Sequence, residues 1–505
     1  MRYFLGLFRK KIASGLLVTS VFLVGACSAG TVSSENGTAE SGSHSGKTIR
    51  ISIGTQDQVI NTAVGGATVR ELDLLEKHLP RDGEYEGVEY EIEWSSYTSG
   101  PPITNRMLAD QIDIGLMGDF PAVINMVTFQ QEVKDANSIF IGTLAYSPTG
   151  AGNAVVVPMD SEATSLADLR GGTVSVPFGS AAHGMLLNAL ADVGLDPETD
   201  LDLISQSPEV GGASLRTRQI DAHADFVPFG ELFPFRGFAR KIFDGAQTGV
   251  PTLHGIVVRS DFAEEHPEIV VAYLKAVLEA NQMFQADPEG LSTQIEEWSG
   301  IDKEVVYMFL GPSGLQPLDP TIREIQVNAL KNSIATLTDL GRFENPIDPS
   351  EVTNWIDESY LRQAMQELDL DYDEVIATAE AYQITGDDAL TGEAITDPNL
   401  AAQFWVQGEE TVRNFASISN MMKALMELQE EGQAADVMFV HDNNHGWKLF
   451  AENSYFVSNG DEVVAFLLEA DAQAYALETG GQMTAFRRLQ DFYARHQPLL
   501  VGVSP

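Results

Sequence analysis

From Thr48 onwards, short apolar runs rich in β-branched residues alternate with stretches of helical periodicity. The runs that predict strands cover 48–54, 88–96, 112–118, 138–146 and 153–158, and the stretches that predict helices cover 69–79 and 101–111. The alternation resumes after residue 163, with predicted helices at 164–172 and 181–194 and predicted strands at 173–180, 200–206 and 220–228. Strands that alternate with helices predict an α/β protein with mainly parallel sheets.

The two rounds of this pattern predict two lobes. The first lobe takes about 48–146 and 254–383, the second takes about 153–244, and the chain crosses between them near 146–153 and 244–257. Helices from about 266 to 382 are expected to pack back across the lobes. Because ligands of open α/β sheets lie beyond the carboxyl ends of the strands, the cleft between the lobes is the expected binding site.

A change of composition marks a further boundary. Residues 384–398 are rich in Gly, Thr and Asp and predict a linker. Residues 399–505 then mix short apolar runs with helical stretches and predict a separate small α+β domain of ordinary size.

The start of the chain has the order of a secretory signal peptide. A basic leader precedes an apolar stretch that ends in small residues and the single cysteine of the chain, Cys27. Residues 24–27, Val-Gly-Ala-Cys, resemble the lipobox of bacterial lipoproteins. That resemblance implies cleavage after residue 26, a lipid on Cys27 and a flexible tether over 27–47. A free or buried cysteine and a permanent membrane helix are the alternatives.

The charge balance excludes one class of partner. The chain holds 30 Lys and Arg against 73 Asp and Glu, a formal net charge of −43. Nucleic-acid binding needs clustered positive charge, so we expect no nucleic acid as partner. A single cysteine also excludes an intramolecular disulfide, and no calcium-binding loop motif is present.

Three turns at predicted strand ends are candidates for ligand binding. In Pro-Phe-Gly-Ser-Ala-Ala-His-Gly, Gly179 allows close backbone approach, Ser180 predicts a helix N-cap, and the amide of Ala181 would face an anion at the helix start. Gly118-Asp119 and Gln56 occupy the other two turns, and Phe229 is a candidate wall of the pocket. Ordinary helix capping without a ligand is the alternative for Ser180, and His183 and His223 are interpreted as structural.

The two-lobed part resembles the substrate-binding proteins of bacterial ABC transporters, in the nitrate/sulfonate/taurine branch. The resemblance spans about 48–382 and rests on the ordered stretches 100–125, 167–197 and 219–233. It implies a type II periplasmic-binding-protein fold of two α/β lobes that close on a small solute, commonly an anion. It also implies delivery of that solute to the permease subunits in the membrane.

The C-terminal segment resembles the nitrous oxide reductase accessory (NosL) family, over 403–425 and 451–486. That family binds copper(I) through a Cys-Gly-Met stretch and a further methionine. Both ligand features are missing here, because the only cysteine is Cys27 and the loop 458–464 holds no methionine. We expect no bound metal; the remaining weak candidates are Met438, His441 and Met483.

A binding protein is therefore the leading hypothesis: a lipid-anchored extracytoplasmic receptor for a small anionic solute, without catalysis or cofactor. Copper handling through the C-terminal segment is the first alternative. An enzyme on the same fold is the second, although the chain holds none of the serine-hydrolase, zinc-protease or P-loop motifs.

Overall fold

The computed structural model describes residues 47–495 except 134, 135, 344, 346, 380, 381 and 461. The expected signal peptide, Cys27 and all of the tether before Lys47 lie outside the described residues. Within the described part of the chain, no helix has both the length and the apolar character needed to cross a membrane.

The first part of the chain alternates strands and helices. Its elements are β1 (Thr48–Thr55), α1 (Ile60–Ala63), α2 (Val69–Glu71), α3 (Leu74–His78), β2 (Glu89–Ser96), α4 (Gly100–Leu108), β3 (Ile114–Gly118), α5 (Asp119–Glu132) and β4 (Ser138–Ser147). The helix predicted at 69–79 is interrupted because Asp73 takes a left-handed conformation, with φ of 50°. A π-helical turn, Val64–Thr68, joins α1 to α2.

The second round of alternation follows directly. It comprises β5 (Ala154–Pro158), β6 (Thr173–Val176), α6 (Ala181–Asp192), β7 (Asp202–Ser205), α7 (Pro208–Arg216), β8 (Ala222–Asp225), α8 (Phe229–Phe235) and β9 (Ala239–Asp244). The helix predicted at 164–172 is a single 3₁₀ turn, Leu166–Leu169, closed by a capping box between Ser165 and Asp168. The pattern did not predict β9.

The chain then returns to the first lobe through a strand and a series of helices. These are β10 (Thr252–Arg259), α9 (Ser260–Glu265), α10 (Pro267–Ala286), α11 (Pro288–Ser299), α12 (Lys303–Leu310), α13 (Glu324–Asp339), α14 (Val352–Trp355), α15 (Ser359–Glu367) and α16 (Tyr372–Ala379). Helix α10 is fixed to the first lobe by the buried Tyr273, whose hydroxyl donates to the carbonyl of Gly65 at 2.7 Å.

Two five-stranded mixed sheets form the cores of the lobes. Lobe 1 has the strand order β2-β1-β3-β10-β4, in which β1 is parallel to β2 and β3 and β10 is antiparallel to both neighbours. Lobe 2 has the order β7-β6-β8-β5-β9, in which β6 is parallel to β7 and β8 and β5 is antiparallel to both neighbours. The predicted α/β class is confirmed.

The chain crosses between the lobes twice, between β4 and β5 and between β9 and β10. The crossing segments are residues 148–153 and 245–251. A hydrogen bond joins them: the amide of Gly245 donates to the carbonyl of Asn153 at 2.7 Å. Gly150 has a φ of 90°, and a Cβ at this position would lie 2.8 Å from the carbonyl oxygen of Val250. Only glycine fits this close approach.

The segment after 384 forms two small antiparallel sheets. Its elements are β11 (Ala402–Val406), β12 (Val412–Phe415), α17 (Ile418–Glu430), β13 (Ala435–His441), β14 (Lys448–Phe450), β15 (Tyr455–Asn459), β16 (Glu462–Phe466), α18 (Glu469–Thr479), β17 (Gln482–Thr484) and α19 (Phe486–Arg495). The strand orders are β12-β11-β13-β14 and β16-β15-β17. We refer to residues 399–495 as the C-terminal domain.

The predicted linker is anchored to this domain. The buried carboxylate of Asp388 accepts from the amide of Ala416 at 2.7 Å and from the side-chain amide of Asn420 at 2.8 Å. The amide of Ala389 donates to the carbonyl of Asn414 at 2.8 Å. The start of the linker therefore belongs physically to the C-terminal domain.

Candidate functional site

The carboxyl ends of the parallel strands face one another between the lobes, and a small cavity lies there. Two of the predicted site residues, Asp119 from lobe 1 and Ala181 from lobe 2, line this cavity. Both crossing segments and α13 complete its wall, through Gly150, Asn153, Gly245, Thr248, Asn332, Ser333 and Thr336. The structure therefore brings together residues that are distant in the sequence at the predicted location.

The start of α6 has the local geometry that the sequence predicts. Gly179 has a φ of 80°, and the hydroxyl of Ser180 accepts from the amide of His183 at 3.3 Å. Amides in the first turn of a helix have no intrahelical acceptor, and the positive end of the helix dipole favours an anion. Gly179 also lies against lobe 1, since a Cβ there would be 3.3 Å from Cγ of Pro101.

His183 gives this helix start a further donor. Its Nδ1 accepts from the amide of Gly179 at 3.2 Å, which places the ring proton on Nε2. The Nε2 atom is buried and has no hydrogen-bond partner among the described residues. Burial, assisted by the charge of Arg342, lowers the pKa of His183 to about 4. At neutral pH the side chain is therefore an uncharged N–H donor without an acceptor in the part of the chain that the structure describes.

The surroundings of His183 fix its orientation. The exposed ring of Phe178 stacks on the imidazole, with 4.8 Å between centroids and 16° between planes. The sequence pattern indicated a structural role for His183, but its position three residues after the N-cap was the signal that it reaches back to the helix start. His223, by contrast, is fully bonded: Nε2 to Asp225 at 2.9 Å and Nδ1 to the hydroxyl of Ser175 at 2.7 Å.

Asp119 is committed to contacts within the protein. Its buried carboxylate accepts from the hydroxyls of Thr252 at 3.1 Å and Ser333 at 2.7 Å, and from amides in the first turn of α5. Burial raises the pKa of Asp119 to about 6. This carboxylate already accepts from the first-turn amides of α5. An anion can therefore bind the first-turn amides of α6 but not those of α5.

Gln56 and Gly118 lie near each other at the ends of β1 and β3. The side-chain amide of Gln56 donates to the carbonyl of Leu116 at 2.9 Å. A Cβ on Gly118 would be 3.4 Å from Nε2 of His254, whose Nδ1 lies 3.2 Å from the side-chain amide of Asn61. Gln56 thus links the ends of β1 and β3. Contact of Gln56 or Gly118 with a ligand stays a prediction.

Phe229 lies apart from this cavity. Its ring packs in an aromatic cluster with Phe226 and Phe233, at centroid distances of 5.9 and 5.6 Å. It lines a second cavity between α7 and α8, together with Arg216 and Arg236. Phe229 therefore lines a different cavity from the one that Asp119 and Ala181 share.

The weak metal candidates do not form a cluster. Met438 and His441 are three residues apart on β13, so their side chains project from opposite faces of that strand. Met483 lies on β17, in the other sheet. The described residues contain no group of three or more His, Cys, Asp or Glu side chains that could hold a metal ion.

Known proteins resemble the two-lobed part of the chain. Residues 73–295, which include Asp119 and α6 but not α13, match the NMT1-like family. This part of the chain is therefore similar to that family. The match covers α3 to α10 and most of α11, but neither β1 nor the C-terminal domain.

Curated relatives share limited identity with the chain. A putative aliphatic sulfonates-binding protein of Escherichia coli is 24% identical over 293 residues, which are 57% of this chain and 83% of the relative. The taurine-binding periplasmic protein of Escherichia coli is 28% identical over 201 residues, which are 39% of this chain and 59% of the relative.

A solved structure shows the fold of the NMT1-like part. The alkanesulfonate-binding protein SsuA of Xanthomonas axonopodis pv. citri, bound to MOPS, is similar with a TM-score of 0.50 and 21% identity. The alignment covers 99% of that protein and 62% of this chain. The expected fold, two mixed sheets as in type II periplasmic binding proteins, is therefore confirmed. The antiparallel sheets of the C-terminal domain are an addition to it.

Proposed function

We propose that the protein is the substrate-binding component of an ABC importer and that it captures a small sulfonate-like, taurine-like or nitrate-like anion between its lobes. The observation that carries this proposal is the start of α6, where the buried Nε2–H of His183 has no acceptor among the described residues. Relatives that bind aliphatic sulfonates and taurine support the choice of solute class.

The site binds the anion without a basic side chain in contact with it. The first-turn amides of α6 and the neutral His183 donate to the anion oxygens, and the helix dipole stabilises the charge. The carboxylate of Asp119, in the cavity that Ala181 also lines, limits the total charge that the site accepts. A monoanion is therefore favoured over a dianion.

A thermal-shift screen tests the proposal directly. Taurine, ethanesulfonate, nitrate and bicarbonate are added at matched ionic strength, with chloride as the reference and choline as a cationic control. A ligand that binds only the folded state raises the melting temperature. We expect a shift with taurine (through its sulfonate group), ethanesulfonate or nitrate, and none with choline. A shift with none of these three solutes would contradict the proposed solute class.

Substitutions at the helix start locate the site. Ser180→Ala removes a cap and is expected to weaken binding by about 1–2 kcal/mol, a factor of roughly 5–30. Gly179→Val should cost more, because Gly179 has a φ of 80° and lies against Pro101. Unchanged affinity in both variants would place the ligand elsewhere.

Two finer features belong to the same proposal. We propose that Cys27 carries a lipid that keeps the receptor near its permease; Cys27→Ser should then abolish incorporation of radiolabelled lipid. We further propose that the C-terminal domain has a NosL-like fold without copper. A tight 1:1 copper(I) complex that is lost on changing Met438, Met483 or His441 would contradict this.

A further inference from the structure

The C-terminal domain packs against both sides of the hinge between the lobes. On the lobe 2 side, the ring of Phe450 on β14 stacks on Phe235 at the end of α8, with 5.1 Å between centroids and 21° between planes. This is a direct contact between the C-terminal domain and the last helix that precedes β9.

The same domain is also fixed to α12, a helix that contacts α1 of lobe 1 and α8 of lobe 2. The ring of Tyr307 lies 5.6 Å from Trp405 and 5.5 Å from Phe439, and its hydroxyl accepts from the side-chain amide of Gln403 at 3.0 Å. The amide of Lys448 donates to the carbonyl of Ser313, beyond the end of α12, at 2.6 Å. All four side chains in this contact are buried.

Helix α12 and the residues after it hold the first crossing segment. A Cβ on Gly152 would lie 2.9 Å from the ring of Phe309 and 2.6 Å from Nε2 of Gln316. Nε2 of Gln316 donates to the carbonyl of Ala151, and its Oε1 accepts from Asn61 of lobe 1. Helix α12 and the residues after it, against which the C-terminal domain packs, are thus bonded to lobe 1 and to the first crossing segment, which is part of the hinge between the lobes.

The second crossing segment begins at a capped turn. Asp244 accepts from the amide of Ala246 at 2.9 Å and is paired with Lys241 at 2.7 Å. These bonds fix the end of β9, the strand that follows Phe235 and α8.

We propose that the C-terminal domain braces the hinge and stabilises the arrangement in which the two lobes are in contact. The C-terminal domain contacts Phe235 of lobe 2 and Tyr307 of α12, which is bonded to lobe 1. If the domain moves as a rigid body, it must lose one of these contacts when the lobes rotate apart. The stacked pair Phe235–Phe450 is the contact that an opening motion breaks, because the Tyr307 contact is more extensive. This role is independent of which solute binds.

Hydrogen exchange of the purified protein, without ligand, tests the brace. The amides to follow are those of Asn153 and Gly245, which donate to Gly150 and Asn153 respectively within the two crossing segments. Phe450→Ala and Phe235→Ala each remove the stacked pair. We expect both amides to exchange about fivefold faster in either variant, the loss of one aromatic pair. Leu477→Ser, on the exposed face of α18, is the control and should leave them unchanged.

The double variant separates a brace from local loosening. If the stacked pair is the brace, Phe235→Ala with Phe450→Ala exchanges no faster at the hinge than either single variant. If Phe450→Ala unfolds the C-terminal domain, shown by lost protection in β11 and β13, Phe235→Ala decides alone. Unchanged exchange of both hinge amides in Phe235→Ala, or additive effects in the double variant, would overturn the proposal.

Discussion

The ring of Phe120 in lobe 1 occupies the space that a side chain at Gly184 in lobe 2 would need. A Cβ placed on Gly184 would lie 2.0 Å from Cζ of Phe120 and 2.5 Å from Cε1. Phe120 follows Asp119 at the start of α5, and Gly184 lies in the first turns of α6. The contact is possible only when the lobes are together, so the absence of a side chain at 184 permits the closed arrangement.

Gly184→Ala is expected to keep the lobes apart. Alanine stabilises a helix interior by up to about 1 kcal/mol relative to glycine, so lobe 2 itself should not be weakened. The expected result is a larger radius of gyration in small-angle scattering and weaker binding of any solute that needs both lobes. Phe120→Ala in the same chain should restore the wild-type values. A scattering curve of Gly184→Ala identical to that of the wild type would contradict the role of this contact.

His183 should make the protein sensitive to acid. Its pKa is lowered from 6.5 to about 4 by burial, so folding favours the neutral ring. The contribution of this group to the free energy of unfolding is complete above pH 6.5 and is lost as the pH falls towards 4, by about 3 kcal/mol in total. In His183→Gln, the urea midpoint of unfolding should vary less with pH over that range. His445→Ala, at a half-exposed histidine whose pKa is raised by its hydrogen bond with Asp442, is the control and should keep the loss of stability towards pH 4. An equally steep profile in His183→Gln would disprove the assignment.

Asp119 should act in the opposite direction. Its pKa is raised from 3.8 to about 6, so its contribution is complete below pH 3.8 and is lost as the pH rises through 6. Asp119→Asn should therefore unfold at higher urea concentration than the wild type at pH 7, and the difference should vanish near pH 4. The exposed Asp436→Asn is the control. A neutral-pH stability that falls in Asp119→Asn would show that the carboxylate is needed in its ionised form.

Lys448 is a second buried group that opposes folding at neutral pH. Its ammonium nitrogen lies 3.6 Å from the centroid of Tyr307, has no hydrogen-bond partner among the described residues, and has a pKa well below 10.5 because of burial. Lys448→Met should raise the free energy of unfolding by about 1–3 kcal/mol at pH 7. The gain should shrink as the pH approaches 10.5. The exposed Lys423→Met should change stability little, and a destabilised Lys448→Met would show that the ammonium is required.

The parts of this structure that local sequence determines were predictable. The alternation of apolar runs predicted the two α/β lobes, although it predicted mainly parallel sheets and both sheets are mixed. Glycine followed by serine predicted the start of α6 within one residue. Strand β9 was missed because its sequence, Ala-Arg-Lys-Ile-Phe-Asp, carries charges that are neutralised only in the fold, where Lys241 pairs with Glu231 and Asp244. Its strand character depends on pairing with β5.

The chemistry of the site was less predictable, because it depends on contacts between distant residues. The free Nε2–H of His183 follows from the contact of Nδ1 with Gly179, and the commitment of Asp119 follows from hydroxyls on β10 and α13. The sequence pattern placed Phe229 in the same site as Asp119, whereas the two line different cavities. Residue type alone could not separate them.

Calorimetric titration of the wild type and of His183→Ala with the anion that gives the largest thermal shift tests the central claim most directly. The claim is that the start of α6, with its free Nε2–H, binds the anion. We expect saturable 1:1 binding by the wild type, the same affinity in the control His445→Ala, and an affinity about tenfold lower in His183→Ala, for a lost hydrogen bond to a charged group. Equal affinity in the wild type and His183→Ala would contradict the claim.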